Sequence, residues 1–199
     1  MRVWFWLTPA FLLLSGCSFH LSQVRAQVRD WPGGEGQVAF ANGQTRLAES
    51  RIDNVGRFTL PLPQPEALAG VLKGSLPLDV PANCRSTVKA SNPAARFYAL
   101  EEIDAFPVSG AALKLVSQTR SSAESQPQRT DQRLFVYASA PSRVQGQLTC
   151  PASQARYSLN LKAGWNRAVR RTTLEAGQMS RRIEDVGGEG FEGWEVEGK

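Results

Sequence analysis

Few side chains in this chain are of types that do chemistry. Its 199 residues include one His and three Cys. A hydrolytic triad needs an imidazole held inside the fold beside its nucleophile, and the single His20 lies in the short segment that precedes the expected fold. The densest carboxylate group is Glu101-Glu102-Ile103-Asp104. On a strand alternate side chains share a face, so Glu102 and Asp104 would point together, as a Ca²⁺ site or a glycosidase acid/base pair requires. The same spacing is ordinary on a solvated edge strand, which is the preferred reading. Asp53-Asn54 lacks the further oxygen ligands of an EF-type loop. Ser109-Gly110 and Ser121-Ser122 have no paired base, and no Gly-rich loop runs into a Lys and a helix to cradle phosphate. No catalytic residue, metal or cofactor is expected.

Binding chemistry is better represented. Trp31 and Trp165 both abut turn glycines, in Trp31-Pro32-Gly33-Gly34 and Gly164-Trp165-Asn166. Aromatics at strand ends pack over a core or, left exposed, mark a binding patch; core packing is preferred. After Trp165 comes the basic run Arg167-Ala168-Val169-Arg170-Arg171, the best local site for an anionic partner. The net charge is +5, while residues 176–199 alone carry −3. The basic residues are dispersed, without a basic stripe interleaved with aromatics, so nucleic acid is not an expected partner.

The elements that must position these groups are strands. Period-2 alternation marks 37–41, 57–62, 112–117, 133–138, 143–150 and 156–162. Between them stand turn signals: Trp31-Pro32-Gly33-Gly34, Asn42-Gly43, Asp53-Asn54-Val55-Gly56, Ala140-Pro141-Ser142 and Ala163-Gly164. One short helix is expected over 65–73, with Pro65 in its first turn and Gly74 as its stop. Residues 117–131 read as a polar loop, and 176–199 as a loose Gly- and Glu-rich tail. Phe191 and Trp194 could dock that tail as an extra strand, with disorder the default. The expectation is an all-β protein, an antiparallel β-sandwich over 24–175, either one unit or two packed halves at 24–90 and 95–175.

Residues 1–17 supply an address. Met-Arg precedes an apolar stretch of about a dozen residues, shorter than the roughly 20 a spanning helix needs, and Leu14-Ser15-Gly16-Cys17 follows. These four residues resemble the lipobox of bacterial lipoproteins. The resemblance implies cleavage after residue 16, lipidation of Cys17 and a tether over 17–23; Ser18 in place of Asp implies the outer membrane in a diderm. A multiply acylated cysteine holds a protein firmly at a bilayer, since each buried methylene contributes ~0.8 kcal/mol. The mature side-chain charge becomes +4.

With Cys17 given to lipid, Cys84 and Cys150 remain. In an oxidising compartment such a pair favours a disulfide, and strand alternation lets both sulfurs face a core; two buried free thiols or a nucleophilic cysteine are the alternatives. The segment Glu49-Ser50-Arg51-Ile52-Asp53-Asn54-Val55-Gly56-Arg57-Phe58-Thr59-Leu60-Pro61-Leu62-Pro63 resembles the strand-turn-strand of transthyretin-like and carboxypeptidase-regulatory-like modules, which favours a sandwich and transfers no site residue. The expected protein is a lipid-anchored envelope lipoprotein, a binding or structural module toward an envelope polysaccharide or protein partner. The alternative is a carbohydrate-active enzyme using Glu102 and Asp104.

Overall fold

The computed structural model describes residues 21–76, 80–120, 128–175, 177–185 and 193–198. The signal segment, Cys17 and Phe191 lie outside the described residues. In chain order the elements are β1 (Gln23–Gln27), β2 (Gly36–Asn42), β3 (Thr45–Ile52), β4 (Arg57–Pro61), α1 (Pro65–Leu68), β5 (Arg85–Ser86), β6 (Lys89–Ala90), β7 (Phe97–Leu100) and β8 (Ile103–Pro107). They continue with β9 (Leu113–Val116), β10 (Gln118–Arg120), β11 (Gln128–Ala138), β12 (Ser142–Cys150), β13 (Ser153–Leu161), β14 (Gly164–Glu175), β15 (Gln178–Asp185) and β16 (Glu195–Val196). The protein is all-β with one short helix, as the alternation predicts. That helix is a single turn rather than the whole of 65–73: the chain leaves it so that Lys73 can bridge to Phe97.

The strands form two sheets. The first runs β1-β4-β3-β2-β8-β9-β16, and the second β10-β11-β14-β15-β13-β12-β5, with β7 beside β11 and β6 beside β12. The second sheet curls into a half-barrel. Among the described strands pairing is antiparallel except between β13 and β15, which run parallel, a departure from a purely antiparallel sandwich; the isolated bridge from Val28 to Trp194 is parallel too.

Strand β11 explains how the sheets come together. Leu134, Phe135, Val136, Tyr137 and Ala138 are all buried, so both faces of the strand are covered. Alternation sends Phe135 and Tyr137 one way, into a core shared with Phe40, Ile52, Phe58 and Leu60 of the first sheet. Leu134, Val136 and Ala138 point the other way, into a core enclosed by the half-barrel with Val144, Leu159 and Ile183. Strand β7 repeats the division: Tyr98 and Leu100 enter the inter-sheet core, while Phe97 enters the half-barrel. A continuous apolar run is the signature of a strand buried on both faces, and a Leu, Val or Phe side chain so buried contributes roughly 1.5–3 kcal/mol.

The turns form as their residues dictate. Asp53 Oδ1 accepts from the backbone N–H groups of Val55 (3.0 Å) and Arg57 (2.8 Å), and the Gly56 N–H donates to the Asp53 carbonyl. Gly56 has a positive φ of 79°. A Cβ there would lie 2.7 Å from the Cβ of Trp31, so both conformation and space require glycine. Beyond this turn Phe58 points inward, as expected.

Two expectations are corrected. The loose tail over 176–199 does not hold for its described parts: β15 sits in the sheet between β14 and β13, and β16 pairs with β9. Trp194 is buried between Phe58 and Phe135, its ring centroid 6.2 and 6.4 Å from theirs. Burying an indole closes the end of the inter-sheet core, which outweighs the cost of ordering a Gly-rich segment. Likewise the polar stretch 117–131 is not all loop. Its described ends form β10 and the start of β11, paired through Gln118 to Gln132 and Arg120 to Thr130; residues 121–127 lie outside the described residues.

Candidate functional site

The disulfide between Cys84 and Cys150 is present, with a Cα–Cα distance of 4.3 Å. It joins the segment before β5 to the last residue of β12. The expectation that the sulfurs face a core is corrected: both cysteines are half-buried at the sheet margin and belong to neither core.

Of the sequence-derived candidates, Trp165 is half-buried. Its ring meets Tyr137 edge-on at 5.4 Å, and its Nε1–H donates to the Pro63 carbonyl at 2.9 Å. Trp31 is also half-buried, with its Nε1–H donating to the Gly34 carbonyl. Both rings pack against the inter-sheet core, as the packing reading expects.

Strand alternation on β14 divides the arginine run. Arg167 is exposed. Arg171 lies directly opposite Asp131 of the neighbouring β11, contacts that carboxylate at 3.3 Å and places Nη1 2.8 Å from Glu184 Oε1. Arg129 also binds Asp131, at 2.6 Å; its hydrogen bond is the main reason that carboxyl is held below its ordinary range, against burial, with the charges of Arg129 and Arg171 helping.

Arg170 faces inward, on the same side as Leu134 and Ile183, and meets there residues that sequence spacing had not joined. Its Nη1–H donates to Glu101 Oε2 at 2.6 Å and its Nη2–H to Gln132 Oε1. Gln132, itself buried, donates from Nε2 to the Glu101 carbonyl. Across the curl, β15 brings Arg181 and β13 brings Tyr157 to the same rim. Burial raises the Tyr157 phenol above its ordinary pKa, and the Glu101 charge adds to this. The phenol therefore stays a neutral donor at neutral pH. The Arg181 side chain makes no hydrogen bond or ion pair with the described residues, and its Nε is buried. A buried guanidinium N–H without an acceptor costs on the order of 1–3 kcal/mol or more.

Glu101, Arg170, Arg181 and Tyr157 line one end of a cavity of about 120 Å³, floored by Leu134, Val136, Ala155, Leu159 and Ile183. The floor is at most 7% exposed, whereas the side chains of Glu101 and Arg170 are 40% and 26% exposed. The polar groups thus form the solvent end and the apolar groups the inner end.

The carboxylates singled out from sequence are placed differently. Asp104 pairs with Lys114 across the outer face of the first sheet, and the Lys114 ammonium lies 2.6 Å from Asp104 and 3.3 Å from Glu102. The hydrogen bond it donates to Asp104 is the largest cause of its raised pKa, against a smaller effect of burial. No group of three or more potential metal ligands occurs among the described residues. A wider hollow of about 680 Å³ lies open on the same outer face, beside Arg51, Arg57 and Phe106, but no buried polar group faces it. No helix among the described residues is long and apolar enough to cross a membrane.

No family model, curated protein or solved structure matches the chain.

Proposed function

We propose that this chain is an exported lipoprotein of the cell envelope, anchored through Cys17, and that it acts as a binding module through the polar rim of the half-barrel. The observation that carries the binding reading is the arrangement of Glu101, Arg170, Arg181 and Tyr157 at one end of an apolar cavity, with Gln132 holding Glu101 and Arg170 in place behind them. Few convergent polar groups around an apolar pocket are the common form of a small-molecule site. The disulfide supports export, because such bonds persist in oxidising compartments. The lipobox-like Leu14-Ser15-Gly16-Cys17 supports the anchor.

The carboxylate-pair alternative has less support. Glu102 and Asp104 share one ammonium on the outer face of the first sheet, where the side chains of Glu102 and Lys114 stay open to water. Fractionation of cells expressing the full chain tests the anchored reading: the protein should sediment with membranes, and Cys17→Ser should shift it to the soluble fraction. A wild-type chain that stays in the soluble fraction overturns the anchor.

A further inference from the structure

We infer that the half-barrel cavity takes a small amphipathic anion: an apolar group about the size of a benzene ring on its Leu134–Leu159–Ile183 floor, and a carboxylate at Arg181 and Tyr157. The inference rests on the binding-module reading above and adds the ligand's chemical class.

Size limits the apolar part. The cavity measures about 120 Å³, and an apolar cavity of roughly 150 Å³ accommodates benzene. A single ring or a short unbranched chain fills it; a long acyl chain or a sugar does not. The inner wall offers no polar group. Leu134, Val136, Ala155, Leu159 and Ile183 all lie there, so a hydroxylated ligand would bury its hydroxyls unpaired.

Charge at the rim decides the head group. Arg170 is engaged, since Glu101 and Gln132 take its two terminal nitrogens. Arg181 is not, and its Nε is buried without an acceptor. The register brings the two together: Arg170 is paired with Ile183, two residues beyond Arg181 on the same face of β15, and Tyr157 is paired with the same Ile183 from the other side. The rim therefore offers a guanidinium with donors to spare and a neutral phenol O–H. A carboxylate accepts from both and lets the guanidinium bond bidentately. Glu101 opposes a second negative charge at the rim, which favours a monoanion over a dianion.

The test is a titration of the full-length protein by isothermal calorimetry with four probes: phenylacetate, hexanoate, benzyl alcohol and 1-hexanol. Saturable binding of the two anions is expected, at least about tenfold tighter than of the alcohols, as a charge-assisted hydrogen bond implies. Arg181→Met keeps the aliphatic stem and removes the charge; it should weaken the anions about tenfold and leave the alcohols unchanged. Ala99→Leu, at a half-buried wall position, should weaken all four by filling the cavity, and a thermal melt of each variant confirms that it is folded. Alcohols binding as tightly as anions, or anions indifferent to Arg181→Met, would overturn the anionic class while leaving a binding module. If none of the four binds the folded wild-type protein, this cavity is not a ligand site. The rim as a binding site then fails too, whereas the anchor is judged by fractionation alone.

Discussion

At the residue scale, identity matters most where a side chain has no alternative neighbour. Trp194 fills the space between Phe58 and Phe135 and is 3% exposed. Trp194→Ala is expected to cost about 3–5 kcal/mol in a urea melt, as large aromatic truncations do. A loss below 1 kcal/mol would mean the indole is not seated in the core. Gly146 has φ 138°, and a Cβ there would lie 2.5 Å from the Thr87 carbonyl oxygen, where the chain between β5 and β6 crosses β12. Gly146→Ala should therefore destabilise by at least about 1–3 kcal/mol through strain and displaced backbone. Asp131 gives a pH effect of definite sign. Its native pKa is lowered, chiefly by the hydrogen bond from Arg129. On acidification the unfolded chain takes up this proton first, near pH 4. The stabilisation from Asp131 is thus complete above that pH and lost as pH falls through the lower native value. Asp131→Asn should flatten the fall of melting temperature below about pH 4; an unchanged slope would show that other groups govern it.

At the element scale, β11 is the strand both cores depend on. Its residues Leu134 to Ala138 are buried on both faces, so their amides should exchange with deuterium only through global opening, while those of the two-residue β16 exchange through local opening. Much of this was legible from sequence. Alternation marks β12 and β13, whose outward side chains are polar, and also β2, β4 and β9, where Ala39, Pro61 and Val116 interrupt the polar face; the Asp53-Asn54-Val55-Gly56 turn follows from side-chain and glycine chemistry. Strand β15 was not legible. Of its eight residues Gln178–Asp185 only Ile183 is buried, because its inner face lies at the polar rim and its outer face meets solvent; its order comes from pairing with β13 and β14. The rim was half legible. Arg170 stands out in a basic run, but which of two adjacent arginines faces the cavity depends on register, and Arg171 is the one that pairs with Asp131. Glu101, Gln132, Tyr157 and Arg181 come from four segments distant in sequence, and the order and register of β11, β14, β15 and β13 in the sheet bring them together.

At the scale of the whole molecule, the disulfide closes a loop across 66 residues of sequence, bracketing the crossings from β5 through β12. Loop closure of that length constrains the unfolded chain by roughly 4 kcal/mol. Reduction should lower the urea midpoint accordingly, and an unchanged midpoint would show the bridge to be incidental to stability. On the proposed function, export, oxidation and anchoring would be linked steps, since a chain retained in a reducing cytosol would gain neither the bridge nor the acyl group. Intact-mass spectrometry of the chain purified from membranes without reductant, after exposure to N-ethylmaleimide, reads all three together. The expected species begins at Cys17, carries added acyl mass and takes up no maleimide at Cys84 or Cys150; a chain that retains residues 1–16, lacks acyl mass and alkylates at both cysteines would contradict the proposed function at its root.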